Sequence, residues 1–205
     1  MKSFFELFTM SARELTGKNK VRCIAVTAML IALSMAVEGF TITLPFAKIN
    51  FAFIALAAIG MLFGPTVAFF AGGMCDVLGY IIHPDGAFLP AYILVAMLQG
   101  LIYGIALYPL KENALKNSGA VSPMFAVRAV IGRLVDVLLI NLVLNTTLNM
   151  HYGFIPKQAF HEAFAARIAK NLIQLCADLP LMWLILPIAL KIYFSGRMGR
   201  KKADV

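Results

Sequence analysis

Apolar runs as long as a bilayer is thick set the first limit on what this chain can fold into. A transmembrane helix needs about 20 mostly apolar residues to cross a hydrocarbon core about 30 Å thick. Residues Val21 to Val37 form one such run, ended by Glu38. Phe51 to Ile82 is too long for one crossing, and Gly64-Pro65 divides it, since Pro suits the first position of a new helix. Ala91 to Tyr108 is a fourth run and Met124 to about Leu148 a fifth. A last helix is predicted from the region 158–163 to about Phe194, with a bend at Pro180. Between the first two spans, residues 39–50 carry Thr, Ile, Gly39 and Pro45 and suit an extended loop. Of the 205 residues 61% are hydrophobic and 14% charged, which excludes a disordered chain and points away from a soluble domain.

The charges orient this six-span bundle. Eighteen Lys and Arg against ten Asp and Glu give a net charge of +8. In a soluble protein such a surplus would suggest nucleic acid. Here it sorts by side, so no nucleic-acid partner is expected. Lys2, Arg13, Lys18, Lys20 and Arg22 lie at one end, Lys111 and Lys116 in a polar stretch between Pro109 and Pro123, and Lys191, Arg197, Arg200, Lys201 and Lys202 at the other end. Six crossings place all of these on one face, and the positive-inside rule makes it cytoplasmic, with both termini. The expected fold is therefore an all-α membrane protein, a six-transmembrane-helix bundle. Residues 1–20 read as a short amphipathic N-terminal helix, 21–194 as the membrane domain and 195–205 as a basic cytoplasmic tail. Phe4, Leu7, Phe8 and Leu15 fall on one helical face, which fits an interfacial segment rather than a signal peptide.

Several chemistries lack their residues. No G-x-x-x-x-G-K-[ST] run is present to cradle nucleotide phosphates. His161-Glu162 begins like a zinc-protease motif without its second histidine, and no G-x-S-x-G turn occurs. Cys23, Cys75 and Cys176 are scattered through apolar runs, so neither a metal nor a cofactor is expected in the chain. These absences describe a membrane module without its own motor, and no enzyme.

Ionisable residues inside a membrane are costly and read as functional until a structural partner explains them. Asp76 sits near the outer end of the third span, as a ligand contact or as an anchor within the bundle. Arg133 and Asp136 are three apart on one face and are expected to pair structurally, with Arg128 at the interface. Asp178 should face a polar partner or a helix break. Arg167, Lys170 and Asn171 share one face near the outer surface, where Lys48 of the first outer loop can join them. Four donors there suit an anionic ligand; snorkelling to headgroups is the plainer alternative. Ala25, Ala28, Ala32 and Ala36 form a stripe along the first span that permits close helix approach.

Together these segments resemble an S component of an energy-coupling factor (ECF) vitamin transporter, most like the folate-type group. The likeness runs through Lys48-Ile-Asn-Phe-Ala-Phe53, Gly60-Met-Leu-Phe-Gly-Pro65, Asp76-Val-Leu-Gly79, His83-Pro-Asp-Gly86 and Gly100-Leu-Ile-Tyr-Gly104. It continues through Leu144-Asn145-Thr146 and Arg167-Ile-Ala-Lys170-Asn171. The resemblance implies a six-helix substrate-binding subunit of the cytoplasmic membrane, bacterial in origin. It would pair with a transmembrane coupling protein and two ATPases, which use the ATP. It implies that Ala28, Ala32 and Ala36 meet the coupling protein and that the outer loops close over a vitamin. A folate-like anion would place its glutamyl tail at Arg167 and Lys48, its ring on Tyr80, Phe88 or Tyr92, and its polar edges at Asp76, Gln99 or Asn145. The folate pattern is not complete, since Thr147, Leu148 and Asn149 follow Leu-Asn-Thr where an aromatic is usual. Leu89-Pro90-Ala91-Tyr92-Ile93 also replaces a Phe-Pro-Gly-Phe-Thr-like run. The alternatives are an S component for another vitamin, a scaffold subunit or an intramembrane enzyme.

Overall fold

A computed structural model describes residues 4–17, 20–39, 42–44, 47–49, 51–82, 84, 88–116, 123–154 and 160–203. His83, the loop residues 85–87 and Lys157 lie outside them. Helix α1 (Phe4–Thr16) leads into α2 (Lys20–Glu38). The expected extended loop is a hairpin, β1 (Ile42–Leu44) against β2 (Ala47–Ile49), antiparallel with Thr43 opposite Lys48. Then come α3 (Phe53–Phe63), α4 (Pro65–Ile82) and α5 (Pro90–Lys116). A continuous helix follows as α6 (Pro123–Val135), a π-helical segment (Asp136–Leu144) and α7 (Asn145–His151). Helix α8 (Phe160–Ala203) is last. The described residues are thus helical apart from one short hairpin. Four of these helices are long and apolar enough to cross a membrane: Lys20–Glu38, Pro65–Ile82, Pro90–Pro109 and Phe164–Phe194.

Two boundaries differ from the sequence reading. Helix α5 continues through Pro109 to Lys116, where a polar loop was expected, and α8 runs past Phe194 to Ala203. Charged residues beyond an apolar run end the span but not the helix, because Lys and Glu are good helix formers in water.

Helix α3 is the post around which the bundle is built. All eleven of its residues are buried. At about 1.5 Å per residue it spans roughly 16 Å, half the hydrocarbon thickness, so its neighbours must close over both ends. Gly64 turns the chain from α3 into α4 at φ 90°, a conformation that side chains with a Cβ rarely adopt. Helix α1 docks on this joint. The Ser11 hydroxyl donates to the Phe63 carbonyl at 2.7 Å and accepts from the Thr66 and Val67 amides at 3.0 and 3.3 Å. It thereby satisfies backbone groups that a helix end leaves open, from a different helix.

Glycines bring α4 and α5 together. A Cβ on Gly72 would meet the Ala96 carbonyl, and one on Gly100 would meet the Ala68 carbonyl. Packing of this kind is how helices associate where no hydrophobic drive operates. Helix α2 lies at the perimeter. It turns Cys23, Ile31 and Ser34 inward and leaves Ala25, Ala28, Ala32 and Ala36 exposed. Its Arg22 guanidinium lies 4.3 Å above the Tyr193 ring and ties α2 to α8.

Candidate functional site

A cavity of about 300 Å³ opens among α2, α3, α4, α5, α6, the π-helical segment and α8. Its lining is polar because each helix turns different residues inward at one level. Helix α2 supplies Ser34 and Glu38, one turn apart, and α4 supplies Cys75 and Asp76. Gly79 leaves room for Glu38, whose Oε2 lies 3.3 Å from where a Cβ would stand. Helix α8 supplies Lys170 and Gln174, again one turn apart, and the π-helical segment supplies Asn141. Phe53, Gln99 and Arg133 complete the polar and aromatic lining. Carboxylates thus come from α2 and α4 and an ammonium from α8, so the space is polarised.

Beside the cavity lies a buried ion centre. Arg133 donates through Nε to Asp178 Oδ2 at 3.0 Å and through Nη1 to Asp136 Oδ2 and to the Tyr103 hydroxyl. The Tyr103 hydroxyl donates to Asp136 at 2.9 Å, and the Gln99 amide does so at 3.2 Å. The Arg133 guanidinium also lies 4.1 Å above the Phe53 ring. All three ionised side chains are essentially inaccessible. The Arg133–Asp136 pair expected from the spacing is present, and the partner sought for Asp178 is the same arginine. Arg128, expected at the interface, donates to the Ala106 carbonyl.

Of the ten ligand candidates read from sequence, Asp76, Gln99 and Lys170 line the cavity. Tyr80 and Phe88 touch each other, with ring centroids 5.0 Å apart. The Tyr92 hydroxyl donates to Asn149 Oδ1 at 2.9 Å. Asn145 donates to Asn141 Oδ1 at 3.4 Å, and Arg167 reaches the Asn141 carbonyl at 3.5 Å, so both stand directly behind a lining residue. Asn171 is buried off the lining. Lys48 pairs through its backbone in the hairpin, and its side chain lies outside the described residues. Ser34, Glu38, Asn141, Gln174 and Arg133 were not read as ligand contacts. Two signals were available: Glu38 stands four residues after Ser34, and Gln174 four after Lys170.

A helical bundle with membrane-length helices and an internal polar cavity has the build of a membrane subunit that binds a small solute. The chain belongs to the S components of ECF-type transporters, since the family model described as ECF-type riboflavin transporter, S component, matches residues 18–188. The folate transporter FolT of Clostridium novyi (strain NT) is 31% identical over 155 residues, covering 75% of this chain and 81% of that protein. The folate transporter FolT of Leuconostoc mesenteroides subsp. mesenteroides is 31% identical over 91 residues, 44% of this chain and 49% of that protein. A crystal structure of FolT bound with folic acid is similar with a TM-score of 0.66 and 26% identity, covering 83% of this chain and 95% of that one.

Proposed function

We propose that the chain is the substrate-binding subunit of an importer for folate or a folate derivative, held in the cytoplasmic membrane with six crossings and both termini inside. The observation that carries the reading is the cavity itself. It brings Lys170 together with Asp76, Glu38 and Gln99, so it can pair with an acid group and with a donor-rich ring edge in one ligand. Likeness to FolT over most of the chain favours folate among ligands of that chemistry. Lys170 would hold a ligand carboxylate, with Arg167 behind it, and Lys48 of the hairpin would be a further cation for the tail. Tyr80, Phe88 and Tyr92 would flank the ring, Asn145 would support Asn141, and Asn171 would steady α8 beneath them. The exposed alanines Ala28, Ala32 and Ala36 would meet the transmembrane coupling protein, and two ATPases would supply the energy. Residues 1–20 would rest on the inner membrane surface and residues 195–205 would form the basic tail beyond the domain 21–194.

Riboflavin is the second reading, because the matching family model carries that name. Purified protein titrated with folic acid and with riboflavin separates them. Trp183 offers an intrinsic fluorescence signal, and calorimetry a second one. Saturable binding of folic acid with none of riboflavin is expected. Binding of riboflavin alone would overturn the folate assignment and leave the family intact.

A further inference from the structure

The inference that follows rests on the folate reading and concerns how the cavity reads the ligand's ring. Tyr92 and Gln99 are seven residues apart on α5, about two turns. Gln99 therefore stands about two turns further along α5 than Tyr92, beside the ion centre. Four of the five Arg133 N–H groups are spent on Asp136, Asp178 and Tyr103, so this floor is poorly suited to a second anion. A ligand whose acid tail stays at Lys170 is expected to lie with its ring along Tyr92 and the far edge of that ring at Gln99.

At that point the Gln99 side chain is not free to choose its sense. Its Nε2 donates to Asp136 Oδ2. A carboxylate only accepts, so a reversed amide would set Oε1 against a negative oxygen. Asp136 cannot swing away to allow it. The Tyr103 hydroxyl and Arg133 Nη1 donate to the same oxygen, and Asp178 holds Arg133 from the far side while also taking a hydrogen bond from Gln174. Asp136 is fully buried and does not line the cavity, whereas Gln99 does. The charged groups around this network are Arg133 and Asp178; Lys170, Glu38 and Asp76 stand across the cavity lining.

We propose that Asp136 is a positioning residue that fixes the Gln99 amide with its carbonyl oxygen available to the ligand, so that the cavity demands a hydrogen-bond donor there. The pteridine of folic acid carries a lactam edge, an N–H beside a carbonyl. Its 4-amino analogue carries an amidine edge, in which the ring nitrogen accepts and the exocyclic group donates. The two compounds share size, stacking surface and glutamyl tail and differ in the polarity of that edge. The ring nitrogen of that edge donates in folic acid and accepts in the analogue, so an acceptor fixed against it distinguishes the two, whereas an amide able to turn over serves both.

The test is the ratio of dissociation constants for folic acid and the 4-amino analogue, measured on full-length protein in detergent. The wild-type chain should separate the two by at least about tenfold, as expected where a site's polar group is left unpaired. Gln99→Met removes the fixed acceptor and should shrink the ratio below about threefold. Asp136→Ala leaves Arg133 matched one-to-one with Asp178 and removes the oxygen to which Gln99 donates, so it should shrink the ratio similarly. Tyr103→Phe deletes a different bond to the same Asp136 oxygen and should leave the ratio at its wild-type value. A wild-type ratio near one, a ratio unmoved by Gln99→Met or by Asp136→Ala, or an equal change in Tyr103→Phe overturns the proposal. Should Asp136→Ala not fold, Gln99→Met decides whether the fixed acceptor discriminates, and an unmoved ratio there overturns the proposal. Folded wild-type protein that binds neither compound overturns the folate reading instead.

Discussion

Along α3, eleven consecutive residues are buried without a charge among them, and the joint to α4 is closed by one hydroxyl from α1. On the cavity side, the same bundle turns Glu38, Asp76, Gln99, Asn141, Lys170 and Gln174 inward around an open space. The first region is held by shape: glycine against carbonyl, ring against ring. The second is held by the orientation of polar groups, as where Gln99 donates to Asp136 and Asn141 accepts from Asn145. The difference teaches where each kind of substitution should register. Changes of volume should cost stability in the first region, and changes of polarity should cost affinity in the second.

The ion centre lies on the seam between the two and offers the strongest way to break the distinction. Arg133→Ala would strand Asp136 and Asp178 as uncompensated buried charges, a loss of about 3–5 kcal/mol in comparable cases. Thermal unfolding in detergent should show a large drop or no folded protein; a stable variant would mean the centre is not structural. Next in size is Lys170→Ala. Removing a charge-assisted hydrogen bond of about 1.5–3 kcal/mol should weaken folic acid binding roughly 10- to 150-fold with little change in melting temperature. Unchanged affinity would take Lys170 out of the site. Gly100→Ala forces a methyl onto the Ala68 carbonyl and should cost about 1–3 kcal/mol of stability, while affinity in the surviving fold is retained. The smallest effect is expected at Ser11→Ala, about 1–2 kcal/mol, because the joint at Gly64 loses one donor and one acceptor. A selective loss of binding in either of these last two would blur the two regions into one.

The sequence exposed the first region better than the second. Long apolar runs, the Gly64-Pro65 break and the spacing of Arg133 and Asp136 each follow from local rules, and the helices start within a few residues of where those rules put them, although α5 and α8 run on past their expected ends. The cavity lining depends instead on helix rotation. Lys170 and Asn171 are adjacent, yet Lys170 lines the cavity and Asn171 does not, because about 100° of turn separates them on α8. The π-helical segment adds to the problem. Its wider turn shifts the facing positions after Asp136, so Asn141 arrives at the cavity from a stretch that periodicity describes only as apolar. Glu38 was legible as the end of a span, and only the neighbouring helix shows that the same carboxylate faces inward.

Helix α8 carries two prolines within its length, Pro180 and Pro187. Each lacks the amide hydrogen that would tie it to the carbonyl four residues back, so the bonds to Cys176 and Trp183 are missing. A helix resists bending through that ladder of bonds, and its stiffness is lowest where rungs are absent. Mechanically, α8 is three rods on two soft joints. The first rod bears Lys170, Gln174 and Asp178, the middle one Met182 and Leu186 of the core, and the last one Tyr193 against Arg22. Motion at the first rod can therefore be absorbed at the joints before it reaches the C-terminal end of α8.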